Sequence, residues 1–98
     1  MSSIRERFEK DLAAVDWKAL RIHVQRDALI LVAAQLNLVD VATCVAADDS
    51  HIVATWIEDG LLKKPSVAQL ASWELHLDKP FRMLIAAPYI LIQDLDHA

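Results

Sequence analysis

Apolar residues open the chain at helical spacing. Ile4, Phe8, Leu12 and Val15 recur every three or four positions, and Ser3 with Glu6 has the spacing of a capping box. The pattern predicts a helix from about Ile4 to Ala14. Asp16 stands where a second N-cap would, ahead of a short helix with Trp17, Leu20 and Val24 on one face. The polar run Gln25-Arg26-Asp27 breaks it. The period then changes, because Ala28 to Ala33 is a continuous apolar run of the kind found in strands covered on both faces. A central strand is expected there.

The best-defined stretch follows. Asn37 can cap a helix whose inward stripe is Leu38, Val41, Ala42 and Val45, with Asp40 in the first turn, where a carboxylate suits the helix dipole. Asp48-Asp49-Ser50 reads as a turn and a fresh cap, and Ile52, Val53, Trp56 and Ile57 line a second helix. That helix should stop at Gly60, the chain's single glycine, in a left-handed C-terminal cap that folds Leu61 back on Trp56. Leu61 to Lys64 is a short strand candidate. Pro65-Ser66, with Gln69 three residues after the serine, predicts a helix carrying Val67, Leu70, Trp73 and Leu77 and ending at Asp78-Lys79-Pro80. Arg82 to Gln93 is strand-like, and Pro88 marks a bulge, an edge or a break between two strands.

Helices set between separated strands place the chain in the α+β class. The expectation is one small domain, 1–98, with four to five helices on a sheet of three to four short strands. Its core would run from about residue 4 to 93, and the acidic tail 94–98 would be mobile. A chain of 98 residues and 11.0 kDa has room for one core. Area scaling predicts about 65% of its unfolded surface buried.

Composition adds a surplus. Apolar residues are 55% of the chain although glycine contributes one, and fifteen of them are alanine. A sphere this small is expected to keep an apolar patch outside, and the reading of such a patch is a symmetric homodimer. Net charge is −4 with a pI near 5.4, which offers no counter-field to nucleic acid or anionic lipid. The lone Cys44 cannot form an internal disulfide. Met1 to Lys10 is too polar for a signal peptide, and the longest apolar run, Met83–Ile92, is half a membrane span. A cytoplasmic location is expected.

The ordered set Trp17-Lys18-Ala19-Leu20, Leu36 to Ala42, Ala47-Asp48-Asp49, Trp56, Gly60 and Ala87 to Gln93 resembles a bacterial family, domain of unknown function 2288. The resemblance covers about Lys10 to Gln93, with Asn37 where the family usually has Asp and Tyr89 where it often has Trp. It implies a small bacterial protein without an assigned activity. It carries over no catalytic, binding or cofactor residues.

Candidate chemistry is sparse. The helix pair around Asp48-Asp49 has the look of a helix-turn-helix, whose second helix enters the major groove. From Ala28 to Gly60, however, there are five acids (Asp40, Asp48, Asp49, Glu58, Asp59) and no Lys or Arg, so a groove-reading helix here would be repelled by phosphates. No nucleic acid and no membrane is expected as partner. His23, His51, His76 and His97 show no metal-ligand spacing, and the tail Asp94-Leu95-Asp96-His97 lacks the rigid set of ligands a metal needs, so no metal or cofactor is expected. Cys44 lies in the acidic stretch, where nearby charge raises a thiol pKa.

Asp48-Asp49 and Glu58-Asp59 are the route to a carboxylate- or cation-dependent enzyme. The first pair is explained by a helix start. The second opposes its helix dipole, and Lys63 or Lys64 could offset it. The candidate contact face is therefore Asp48, Asp49, Trp56, Glu58, Asp59 and Tyr89, and no catalytic residue is assigned. The expected function is a homodimeric protein–protein interaction module presenting an apolar patch with an acidic rim. A regulator and a small enzyme are the alternatives.

Overall fold

The computed structural model describes residues 4–95. The chain runs α1 (Ile4–Asp11), β1 (Ala13–Asp16), α2 (Trp17–Leu20), a 3-10 segment (Arg21–Arg26), β2 (Leu29–Val32), α3 (Leu38–Ala46), α4 (Ser50–Glu58), β3 (Leu62–Lys63), α5 (Val67–Glu74), β4 (Pro80–Ala86) and β5 (Tyr89–Asp94). The α+β class holds: the described residues form five α-helices and a sheet of five strands, in the order β1-β4-β5-β2-β3, rather than three to four. The proposed cap at Ser3 lies outside the described residues, as do Asp96 and His97 of the expected tail. Asp94, assigned to that tail, instead closes β5 and pairs with Lys79 at 2.9 Å.

The extra strand comes from the end of the first helix. Helical spacing carried the prediction through to Ala14, yet α1 stops at Asp11 and Ala13–Asp16 pairs antiparallel with β4, Val15 opposite Phe81. An available strand edge overrides the helix preference of two alanines. Pro88 marks a break between two strands. β4 and β5 form an antiparallel hairpin closed at Ala86–Tyr89, with a cis bond at Ala87-Pro88. β2 lies inside the sheet, parallel to β5 and antiparallel to β3, as its unbroken apolar run predicts.

Alternation along the strands makes two cores. On one face Val32, Leu62, Leu84, Ala86 and Leu91 pack with Phe8 of α1 and with Leu38, Val39, Val41 and Ala42 of α3. On the other, Leu29, Phe81, Ile90 and Ile92 pack with Trp17, Leu20 and Trp73. Of the three tryptophans, 17 and 73 are core and Trp56 is half-buried against the first cluster. Gln93 is a buried polar side chain. Its amide donates to the carbonyls of Ala33 at 3.0 Å and Leu36 at 2.6 Å, fastening the β2–α3 loop to the sheet.

Candidate functional site: the groove beside α4

Local signals position α4. Asn37 and Asp49 cap α3 and α4 through side-chain oxygens that accept from Asp40 N and Ile52 N. Gly60 has φ of 75°, and the two reverse bonds of a Schellman cap are present, Gly60 N to Ile57 O at 3.1 Å and Leu61 N to Trp56 O at 2.8 Å. α4 nevertheless contains no buried residue. It is held by α3 and β3 and does not close on the centre of the sheet.

The gap beneath it is a groove of about 620 Å³ lined by Val45 of α3, by Ser50, Val53, Ala54 and Ile57 of α4, and by Ile30, Leu62 and Leu91 of the sheet. The α4 residues recur at i, i+3, i+4 and i+7, so a single helix face forms one wall. Ala33 N bonds to Leu61 O, which sets the C-terminal end of α4 beside the end of β2. The other end of the groove is its mouth, where β2 and β5 begin and β3 finishes. Asp48, Asp49, Lys63, Lys64, Pro88 and Tyr89 surround it.

Of the six candidate contact residues, the groove brings together Asp48, Asp49 and Tyr89. Trp56 turns toward the core, while Glu58 and Asp59 lie at the far end of α4, about 13 Å from the first pair by helical rise. The two carboxylate pairs do not converge. Nor does either lysine pair with Glu58 or Asp59 among the described residues: Lys64 pairs with Asp27, and Lys63 lies at the rim of the groove at the end of β3. Asp48 and Asp49 form no ion pair among the described residues.

Cys44 borders the same groove, half-buried. Burial pushes its thiol pKa up, and Asp49 and then Asp40 push it further. At pH 8 Cys44 is therefore expected to react with iodoacetamide several-fold more slowly than free cysteine. Asp49→Asn keeps a capping side chain and removes one anion, so it should lower the pKa and speed alkylation. An unchanged rate in that variant would refute the electrostatic part.

Sequence reasoning missed the other apolar surface. Val67 was expected inward, but Leu70 and Trp73 alone carry α5 onto the second core, and Val67 is 85% exposed. Leu75, the C-cap of α5, is 80% exposed. Val67, Ala68, Ala71, Ser72 and Leu75 share the outward side of the helix without a charge. A stripe at i, i+4 and i+8 was available in the sequence, but the i, i+3 reading through Trp73 took Val67 for the core.

A sequence profile described as protein of unknown function (DUF2288) matches residues 3–94. The chain belongs to this family. The DUF2288 chain is also similar to a solved protein, the NMR solution structure of PA1075 from Pseudomonas aeruginosa, at 30% identity and a TM-score of 0.80. The match covers 99% of this DUF2288 chain and 90% of that one. No curated protein matches it. Among the described residues no helix is long and apolar enough to cross a membrane.

Proposed function

We propose that this DUF2288 protein is a protein–protein interaction module that self-associates through α5. The observation that carries this is the uncharged outward face of that helix. A surface helix normally turns charged and polar residues to water, whereas here Val67 and Leu75 stand 85% and 80% exposed on either side of Ala71. The stripe is self-complementary. Two copies crossing antiparallel at Ala71 bring each Val67 against the partner's Leu75, which is the reciprocal contact that a two-fold axis requires.

The groove side suits a two-fold seam less well, because Asp48 and Asp49 of each copy would approach their own counterparts. A contact of one helix face falls at the small end of specific interfaces, so a weak, concentration-dependent dimer is expected. Light scattering across a concentration series should show monomer rising to dimer. Leu75→Glu should stay monomeric at every concentration, and its monomer should lose no more than about 1 kcal/mol, the cost of an acid at the C-cap of an otherwise exposed site. A wild-type chain still monomeric at several hundred micromolar refutes the reading.

A further inference from the structure

We infer that the groove beside α4 binds a small amphipathic molecule with an apolar body and a protonated amine at one end. Its volume of about 620 Å³ lies within the ~300–1,000 Å³ of small-molecule sites, and its walls are the apolar side chains such sites use. Val45, Val53, Ile57 and Leu91 would hold the body. Ile57 is 57% exposed although its helix face points at other apolar groups, and an occupant would cover it.

Charge at the mouth selects the head group. Asp48 and Asp49 stand there without ion-pair partners among the described residues, and the ammonium of Lys64 is held by Asp27, so that with Lys63 at the same rim the mouth keeps one net negative charge. An ammonium group is attracted to this mouth, and a carboxylate or phosphate is repelled. Tyr89, 43% exposed, lines the same mouth beside Pro88, where an aromatic ring would add a cation–π contact to an ammonium head group. This site is separate from the α5 surface, and neither reading rests on the other.

The test is a two-dimensional NMR titration of the labelled chain with decylammonium, decanoate and decanol, each below its micellar concentration. It is run on the wild type and on Leu75→Glu, so that self-association is not mistaken for binding. Amide shifts are expected at Val45, Val53, Ile57, Tyr89 and Leu91, with decylammonium binding about tenfold tighter than decanoate. Asp48→Asn with Asp49→Asn should remove most of that preference while leaving the fold intact. Asparagine tolerates the positive φ at position 48 (57°) and caps a helix as aspartate does. Ala54→Phe, on a helix with no buried residue, should fill the groove and weaken all three probes. Equal affinity for amine and carboxylate, shifts confined to α5, or no shifts at millimolar probe would each overturn the proposal.

Discussion

Replacing Trp17 by alanine is expected to cost about 3–5 kcal/mol, the range for truncating a buried aromatic residue. Trp17 is fully buried at the start of α2, its ring centroid 5.0 Å from that of Trp73 and 5.8 Å from that of Phe81. Trp73 and Phe81 meet edge-on at 4.9 Å, so all three rings touch and losing one exposes the other two to a void. The indole also donates to Glu74 Oε1 at 3.2 Å, while Arg21 grips the same carboxylate with Nε at 3.1 Å and Nη2 at 2.6 Å. Trp17→Phe keeps a ring and gives up the indole donor, so it should cost clearly less than the alanine variant. Urea unfolding measures both. A midpoint for Trp17→Ala within experimental error of the wild type would mean that the cluster does not hold the helical layer to the sheet.

How much of this was legible depends on how local each signal is. Caps are local. Asn37, Asp49, Gly60 and the Ser66–Gln69 box stand where their side chains and dihedrals were read to stand, because a cap is settled within four residues. β1 was not legible, since Ala13-Ala14 becomes a strand only when Arg82 and Met83 arrive from the far end of the chain. Gln93 looked like the polar end of a strand, and its two bonds to the β2–α3 loop span 57 and 60 residues. The groove is of the same kind. Asp48 and Tyr89 share a mouth because β2 and β5 run parallel, and no spacing within either segment announces that pairing. The acid pair Glu58-Asp59 misled by proximity. Lysines five residues on looked like partners, yet β3 carries Lys64 to Asp27 instead.

The second large effect is expected on the opposite face of the sheet. Leu84→Ala should lose about 3–5 kcal/mol, because Leu84 is fully buried on β4 among the residues that join α1 and α3 to the sheet. Leu75→Ala makes the same chemical change at an exposed site and should stay within about 0.5 kcal/mol in the monomer. The two core sites also test each other. Phe81, which packs on Trp17, and Leu84 belong to one strand but to opposite faces, and the two clusters have no buried residue in common. Distant sites add, so the Trp17→Ala, Leu84→Ala double variant should lose the sum of the two within about 0.5 kcal/mol. That sum, about 6–10 kcal/mol, rivals the ~5–15 kcal/mol that holds a domain of this size together, so the double variant should be largely unfolded at 25 °C. A double variant that remains folded, with a loss well short of the sum, would show that the two layers relax together through β4 and are not independent cores.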